Sequence, residues 1–347
     1  MFVHLRAVSA ACDELSSSRE LVYTGALAPV VFCVPVGLLF VQPRTVFDAA
    51  HFAYLFMYWQ TSRYSVDLSR PQIMGIVNIT PDSFSDGGRW SDTRLAMQHC
   101  DALLAQGADM LDLGAESSRP GASPVPVQVE LERLMPVLTY ALTLGVPVSV
   151  DTYKPEVMRA ALDAGADIIN DIWALRQPAT SECPGAIQIV ARHPSCGVCL
   201  MHMHRDPQTM QISPMTGDVI QVVHRFLEQR CESLKEVDVQ QNRILVDPGI
   251  GFGKTPAQNL LLLARQRELG SLGAGLLAGW SRKSTLGVVI NGIASTDNHA
   301  LAQERLIPSV VAALLAVQNG ASVVRVHDVR ETVQALQIWR AVSSAIQ

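Results

Sequence analysis

The chain has 347 residues, of which 48% are hydrophobic and 17% are charged, and it contains 23 glycines and 19 prolines. This composition is close to the globular average and excludes a disordered or collagen-like chain. The formal net charge of −5, without any run of five Lys or Arg residues, argues against nucleic acid as a partner. Seven scattered cysteines are an odd number and do not indicate a disulfide framework, which favours the reducing cytoplasm.

Residues 1–70 precede the first clear strand, and we interpret them as an irregular N-terminal extension to a single domain over residues 71–347. The 17 residues from Gly25 to Val41 are uncharged, which is the lower limit of a membrane-spanning length. Two prolines inside this segment disfavour a continuous helix, so a membrane anchor is the least favoured interpretation. A packed or disordered extension and a translation start assigned too early, with Met57 as the alternative start, both stay open.

From Pro71 onward, a short apolar run followed by an amphipathic helical stretch recurs eight times, which is typical of parallel βαβ units. The predicted strands are Gln72–Asn78, Asp109–Gly114, Pro147–Asp151, Asp167–Asp171, Gly197–His202, Arg243–Asp247, Gly275–Trp280 and Ser322–His327. Helices such as Thr93–Gln106 and Val219–Glu236 are predicted between them, and a glycine ends several of these helices. Eight such units predict a (β/α)8 TIM barrel, whose catalytic groups lie at the carboxyl ends of the strands.

Polar side chains follow nearly every predicted strand. They are Asn78, Glu116, Ser117, Ser118, Asp151, Asn170, Asp171, His202, Asp247, the run from Ser281 to Ser284, Arg325 and His327. Any one of the Asp or Asn residues alone fits a helix cap. Asp151, Asn170 and Asp247 end apolar strands of three different units, so in a closed barrel they point into one mouth. Isolated carboxylates are costly there unless they are paired with donors.

The residue types at these strand ends indicate the kind of ligand. A carboxylate accepts two parallel hydrogen bonds from adjacent N–H groups, and an Asn serves an edge that mixes donors and acceptors, so a pterin fits. The seventh and eighth units contain Arg282, Lys283, Arg325 and His327, in the region where TIM barrels often bind phosphate. An anionic group on the ligand is therefore expected.

Seven ordered motifs resemble those of the dihydropteroate synthases. They are GIVNITPDSFSDGG from Gly75, AESSRPGA from Ala115, SVDTYKP from Ser149, INDI from Ile169, LVDPGIGFGKT from Leu245, SRKS from Ser281 and VRVHD from Val324. The resemblance covers residues 71–347 and leaves the first 70 unmatched. It implies an enzyme of folate biosynthesis that joins (7,8-dihydropterin-6-yl)methyl diphosphate to 4-aminobenzoate and releases diphosphate.

The resemblance also implies a role for each matching position. Mg²⁺ is expected on Asn78. The pterin ring of the substrate is expected to bind to Asp151, Asn170, Asp247 and Lys283. The diphosphate is expected on Arg325 and His327 together with Asn78. The pocket for 4-aminobenzoate is expected to be lined by Ser118, Arg119, Pro120, Phe252, Lys283 and Ser284. The catalytic residues are expected to be Lys283, Arg325 and His327.

Two rival functions share part of this pattern. A pterin-dependent methyltransferase has the same barrel and the same pterin-holding Asp and Asn residues, but the basic SRKS and RVHD segments favour a diphosphate ligand. A non-catalytic pterin-binding paralogue is expected to have lost Lys283, Arg325 or the SRPG loop, and all of these are present. The family also suggests a homodimer that forms through helices of the barrel.

Two further patterns resemble known binding motifs. The segment GIGFGKT lacks the first glycine of a P-loop, because Pro248 occupies its position. Cys196, Cys199, His202 and His204 have the residue types of a zinc site, but strand alternation sends Cys199 to the face opposite Cys196 and His202. Both sites are therefore disfavoured. One apolar stripe at helical spacing is predicted to pack on the barrel: Leu301, Leu306, Val310, Ala313, Leu314 and Val317.

Overall fold

The computed structural model describes residues 58–80, 89–117, 122–210, 212–291 and 304–345. Two short strands come first and form an antiparallel hairpin, β1 (Tyr58–Gln60) and β2 (Ser65–Asp67). Eight strands follow: β3 (Gln72–Asn78), β4 (Met110–Gly114), β5 (Val148–Asp151), β6 (Ile168–Asp171), β7 (Gly197–Met201), β8 (Ile244–Asp247), β9 (Gly275–Ala278) and β10 (Val323–Val326). They close into a barrel in which each strand pairs in parallel with the next, and β10 pairs with β3.

Each of the eight barrel strands lies within two residues of its predicted bounds, so the predicted TIM barrel is confirmed. The helices of the described part are α1 (Arg89–Ala105), α2 (Val127–Ala141), α3 (Pro155–Asp163), α4 (Ala186–Arg192), α5 (Val219–Lys235), α6 (Pro256–Arg265), α7 (Ser284–Asn291), α8 (Leu306–Gln318) and α9 (Val329–Ser344). Local sequence explains where α6 begins. The Thr255 hydroxyl accepts from the Gln258 N–H at 3.2 Å, the Gln258 side chain accepts from the Thr255 N–H at 2.9 Å, and Pro256 is the first helical residue.

Residues along each strand alternate between the barrel interior and the layer beneath the helices. The apolar cluster inside the barrel contains Met74, Met110, Ile168, Cys199, Leu245, Leu277 and Val323. A larger cluster contains the residues on the other faces of the same strands, such as Val150 and Val198, together with the helices. Cys196 belongs to this outer cluster and Cys199 to the inner one, which confirms the opposite faces predicted for the two cysteines.

The hairpin packs against the amino-terminal end of the barrel. Trp59 is fully buried in the interior cluster, and its indole N–H donates to the carbonyl of Arg243, just before β8, at 2.9 Å. A Cβ on Gly197, the first residue of β7, would lie 3.1 Å from the Trp59 ring, so glycine leaves the room that the indole needs. Arg63 donates two hydrogen bonds to buried Asp167, at 3.0 and 2.6 Å. The bottom of the barrel is therefore covered by a plug of residues 58–67.

The structure therefore corrects the irregular interpretation for residues 58–67, which form a packed hairpin. The interior cluster reaches the lower end of the barrel, and only a tertiary contact can cover it. Strands of three residues are too short to give a readable period, so the sequence pattern did not reveal them. The segment from Gly25 to Val41 lies outside the described residues. Within the described ranges, the length and apolar character needed to span a bilayer do not occur together in any helix.

Candidate active site

The barrel interior changes from apolar to polar toward the carboxyl ends of its strands. Asp151, Asn170 and Asp247 stand at or next to the last residues of β5, β6 and β8, and Arg325 lies on β10. Asp151 and Asn170 are direct neighbours in the β-ladder. The closed barrel thus brings the polar side chains of four separate chain segments to one mouth.

Arg325 is held by two carboxylates at this mouth. Its Nε donates to Asp112 at 2.5 Å, and its terminal nitrogen NH2 donates to Asp151 at 2.8 Å. Burial raises the pKa of Asp151 to about 7, although the charge of Arg325 acts in the opposite direction. Burial alone would lower the pKa of Arg325, but the two carboxylates outweigh burial and raise it. The guanidinium therefore stays charged inside the barrel.

Asp112 is a member of this site that the sequence reasoning missed. It lies in the middle of β4, is completely buried, and also accepts from the Asn170 side-chain amide at 3.3 and 3.4 Å. The sequence did contain a signal, because Asp112 is a charged residue in the apolar run MLDLG. It lies two residues after Met110 and therefore on the same face of β4, which points into the barrel. The other polar residues of the site lie at strand ends, whereas Asp112 lies in mid-strand, where a polar residue is a weaker signal of a site.

Asp247 ends β8 and organises the loop that follows. Its carboxylate accepts from the backbone N–H of Gly249 at 2.6 Å, and burial raises its pKa despite this bond and the nearby Lys283 charge. A Cβ on Gly249 would lie 1.9 Å from the carbonyl oxygen of His202, and the φ of this glycine is 68°. Only glycine therefore allows the loop to pass this close to β7.

Lys254 stabilises the same loop through hydrogen bonds to backbone carbonyls. It is 2% exposed and donates to the carbonyls of His202, Gly249 and Phe252, at 3.2, 2.8 and 3.1 Å. Burial lowers the pKa of Lys254 to about 7, with Asp247 acting in the opposite direction. This lysine of the GFGKT segment therefore braces the loop through carbonyl groups, and no phosphate-binding role is needed to explain it.

Phe252 and Lys283 meet across the mouth. The Lys283 ammonium lies 4.3 Å from the centre of the Phe252 ring, a cation–π contact. A Cβ on Gly251 would lie 3.4 Å from the Lys283 side chain, so the lysine passes directly over the loop. Ser284, the first residue of α7, is exposed. Three of the residues expected at the aminobenzoate pocket therefore lie on two adjacent loops.

His327 follows β10 and is oriented by Ser281. The Ser281 hydroxyl lies 2.9 Å from His327 Nδ1 and accepts from the His327 backbone N–H at 3.1 Å. Arg282 is turned toward Asp328, with which it forms two hydrogen bonds at 3.3 and 2.7 Å. The SRKS and RVHD segments are thus joined side by side.

Glu116 anchors the loop that follows β4. Its carboxylate accepts from the Tyr153 hydroxyl at 2.9 Å and from the Lys154 ammonium, which also donates to buried Glu130 at 2.5 Å. Lys154 therefore joins the loop after β4 to α2. Ser118, Arg119 and Pro120, expected at the aminobenzoate pocket, lie outside the described residues.

Two other strand-end residues have contacts that stabilise the fold and do not belong to the polar cluster at the mouth. His202 is 3% exposed, stacks edge-on against Phe226 at 5.0 Å, and burial lowers its pKa to about 2. Asp171 accepts from the backbone N–H groups of Trp173 and Leu175, both at 2.7 Å, so it caps a turn. Asp171 therefore stabilises a turn directly after β6, and not the start of a helix as the helix-cap interpretation predicted.

Asn78 ends β3 and is half-buried. Its Cα partner in the ladder is Gly114, which pairs in turn with Asp151. In the described ranges, no three His, Cys, Asp or Glu side chains are grouped to hold a metal ion. Mg²⁺ usually keeps several waters and takes one or two protein oxygens together with substrate phosphates. The single amide oxygen of Asn78 therefore fits an ion that binds together with a diphosphate.

A cavity of about 200 Å³ opens beside this cluster and is lined by the loops after β4, β5, β6 and β7. Asp151, Tyr153, Ile172 and Trp173 are among its lining residues. Tyr153 and Trp173 lie with their ring centres 6.1 Å apart. The mouth thus combines flat apolar walls, carboxylates that can accept N–H groups, and cations on the opposite side. Fold and site together define a TIM-barrel enzyme for a planar heterocycle with an anionic tail.

Comparison with known proteins agrees with this class. The family described as pterin binding enzyme matches residues 74–327. The dihydropteroate synthase of Neisseria meningitidis serogroup B is 44% identical over 288 residues, which are 82% of this chain and 96% of that protein. A solved structure of Xanthomonas albilineans dihydropteroate synthase with 4-aminobenzoic acid is 46% identical, with a TM-score of 0.73 over 80% of this chain and 95% of its own.

A third comparison involves a bound product. The Burkholderia cenocepacia dihydropteroate synthase complexed with 7,8-dihydropteroate is 44% identical, with a TM-score of 0.72 over 84% of this chain and 98% of its own. The chain therefore belongs to the pterin-binding enzymes and, among them, to the dihydropteroate synthases, the transferases of folate biosynthesis. These similarities favour that activity over both rival functions.

Proposed function

We propose how the residues of this mouth divide the dihydropteroate synthase reaction among them. The reaction transfers the dihydropterin-methyl group from a diphosphate to the amine of 4-aminobenzoate. The C–O bond to diphosphate breaks and a C–N bond forms. The observation that carries the assignment is the meeting of Asp151, Asn170 and Asp247 with Arg325 inside one barrel mouth.

The pterin ring is assigned to the interior polar side chains. Asp247 and Asp151 accept N–H groups of the heterocycle, Asn170 serves a mixed edge, and Lys283 donates to a ring acceptor. Asp247 already accepts one backbone N–H at 2.6 Å, which orients its carboxylate before the ligand arrives. The low-polarity surroundings that raise the pKa values of both aspartates also strengthen each hydrogen bond made there.

The diphosphate is assigned to the part of the mouth formed by β10 and β3. Arg325 and His327, which follow each other on and after β10, donate to the phosphate oxygens, and Asn78 supplies an oxygen ligand to Mg²⁺. When bound, Mg²⁺ neutralises negative charge that builds up on the leaving group. Ser281 fixes the orientation of the His327 ring, so this donor needs little reorganisation in the transition state.

The 4-aminobenzoate is assigned to the loops above the pterin. Phe252 offers a flat wall, and Lys283 and Ser284 lie at the adjacent helix start. Ser118, Arg119 and Pro120, which lie outside the described residues, are assigned to the same pocket from the family resemblance alone. An aromatic amine is already neutral at neutral pH, so its attack does not require a strong general base. The pterin ring can stabilise a cation at its methylene carbon, so the C–O bond to diphosphate breaks ahead of attack by the amine, and the amine proton passes to diphosphate or water afterward.

A homodimer is proposed through the outer faces of α8 and α9. Ala313 and Val317 of the predicted apolar stripe pack on the barrel, but the other side of α8 exposes Ile307 and Val311, at 72% and 49%. On α9, Ile338 is 69% exposed. An apolar face of this kind is typical of a subunit interface. Light scattering of the purified protein tests it, with Val311→Glu expected to shift the dimer toward monomer.

The cytoplasm is proposed as the site of action, because five described cysteines are buried free thiols and the composition suits a reducing compartment. Fractionation of cells that express the full chain tests this assignment. Recovery of the chain in the membrane fraction would contradict it.

One assay tests the assigned activity. Purified full chain with Mg²⁺ should release diphosphate from (7,8-dihydropterin-6-yl)methyl diphosphate only when 4-aminobenzoate is added, with an equal amount of 7,8-dihydropteroate formed. Omission of Mg²⁺ in the presence of a chelator should slow release by at least about tenfold. Absence of turnover with both substrates would overturn the assignment, and diphosphate release without the amine would indicate simple hydrolysis.

A further inference from the structure

Arg325 is bound by two carboxylates that differ in their access to a ligand. Asp151 lines the cavity at the mouth, whereas Asp112 is completely buried beneath it. The β-ladder explains the difference in depth, because Asp112 pairs with Ser149, two residues below Asp151 on β5. A ligand that enters the cavity therefore meets Asp151 first.

The two carboxylates hold different atoms of the guanidinium. Asp112 accepts from Nε at 2.5 Å, and Asp151 accepts from the terminal nitrogen at 2.8 Å. Because the two contacts use separate donors, the contact with Asp151 can be given up while the contact with Asp112 remains. The released nitrogen then has a free N–H for another anion.

Burial of the Asp112 carboxylate in the barrel interior also costs folding free energy. The same barrel interior holds an apolar cluster with Met74, Met110 and Ile168, and an unpaired buried carboxylate in this interior would be strongly destabilising. Asp112 gains one charged donor from Arg325 and one neutral amide from Asn170. The ion pair with Arg325 therefore explains why a charged residue occupies this position.

We propose that Asp112 is a positioning residue that permanently anchors Arg325, and that Asp151 is an exchangeable partner. This inference rests on the assignment of pterin to Asp151 and of diphosphate to Arg325. When N–H groups of the pterin occupy Asp151, the terminal nitrogen of Arg325 is released toward the diphosphate. Binding of the ring thereby prepares the binding of the tail, because the same carboxylate serves both in turn.

The proposal predicts a change in how much the diphosphate contributes to affinity. Calorimetry gives the dissociation constants of the pterin-methyl diphosphate and of the matching pterin alcohol. The Kd of the alcohol divided by the Kd of the diphosphate measures the diphosphate contribution. Asp112→Asn keeps the shape and an acceptor but removes the charge, so Arg325 is drawn to Asp151, and the ratio should fall by about tenfold. Asp151→Asn should weaken both ligands at least about tenfold, with the ratio unchanged within about threefold.

Two further variants show whether Asp112 acts through Arg325. Arg325→Gln should lower the ratio at least as much as Asp112→Asn, and the double variant should be no worse than Arg325→Gln alone. Ser149→Ala, at the buried neighbouring position, is the matched control and should leave the ratio unchanged. If Asp112→Asn does not fold, Asp112→Ser, which leaves room for a water, replaces it with the same expected result.

The outcomes separate this inference from the assignment beneath it. If Arg325→Gln leaves the ratio at the wild-type value, diphosphate does not bind Arg325, and the assigned function of that residue fails. If Arg325→Gln lowers the ratio but the Asp112 variant does not, only the anchor fails. Losses that multiply in the double variant would also overturn the anchor, because Asp112 would then act independently of Arg325.

Discussion

The two ends of the barrel are built from different chemistry. The amino-terminal end is covered by the hairpin, with Trp59 and Val66 packed into an apolar cluster. The carboxyl-terminal end holds Asp112, Asp151 and Arg325 in the same interior. Apolar burial at one end stabilises the fold, whereas desolvated charges at the other end cost stability and supply binding groups. Changes at the two ends should therefore separate into loss of folding and loss of activity.

Removal of the hairpin should have the largest effect. A chain that starts at Met57 keeps β1 and β2 and should match the full chain in thermal midpoint and turnover. A chain that starts at Pro71 loses Trp59, whose burial alone is worth about 3–5 kcal/mol, out of a usual total of about 5–15 kcal/mol. Circular dichroism should show that this shorter chain is unfolded or severely destabilised. A stable, active chain from Pro71 would show that the plug is dispensable, and an inactive chain from Met57 would assign a function to residues 1–56.

Asp247→Ala should reduce activity and leave folding stability nearly unchanged, in contrast to removal of the hairpin. The pterin loses its bidentate acceptor, so affinity should fall by about 3 kcal/mol or more, roughly 150-fold, and useful turnover should be lost. The thermal midpoint should change little or rise, because a desolvated carboxylate is removed from the interior. Calorimetry of pterin binding and a melting curve measure the two effects. Near-normal pterin affinity would contradict the role of Asp247.

His327→Ala should slow the chemical step by roughly 10²-fold, the scale of one charge-stabilising donor. Single-turnover rates at saturating 4-aminobenzoate measure that step. If departure of diphosphate leads, the rates should depend only weakly on the basicity of substituted aminobenzoates. A steep dependence on basicity, with a small effect of His327→Ala, would show that attack by the amine drives departure.

Lys254 gives an effect that depends on pH and is the smallest of the four for a change of one pH unit. Its pKa is about 7 in the folded chain, against an ordinary value of 10.5, so between these values the unfolded chain binds more protons. The free energy of unfolding of the wild type should therefore rise, relative to Lys254→Met, by about 1.4 kcal/mol per pH unit in that window. Urea unfolding from pH 7 to pH 10 tests this. Lys235→Met, at an exposed position, is the control and should show no such trend.

Much of the site could be predicted because its residues follow strands with strong local signals. Asp151, Asn170 and Asp247 end short apolar runs, and Arg325 and His327 lie on and after the last one. Strand ends of parallel units must meet at one face, so the topology alone brings these residues together. Lys254 was read only as part of a disfavoured P-loop, since nothing local indicates that its ammonium turns inward to three carbonyls.

The sequence by itself determined the period of the eight units, the bounds of the strands and the residue types at their ends. These properties are local, because hydrophobic alternation and helix-ending glycines act over a few residues. Only the tertiary structure decided that a hairpin of three-residue strands plugs the barrel, and that Asp112 is hydrogen-bonded to Arg325. Trp59 contacts Arg243, and Arg325 contacts Asp112, across 184 and 213 residues of chain. Partners this distant are set by the closure of the barrel, which no local pattern records.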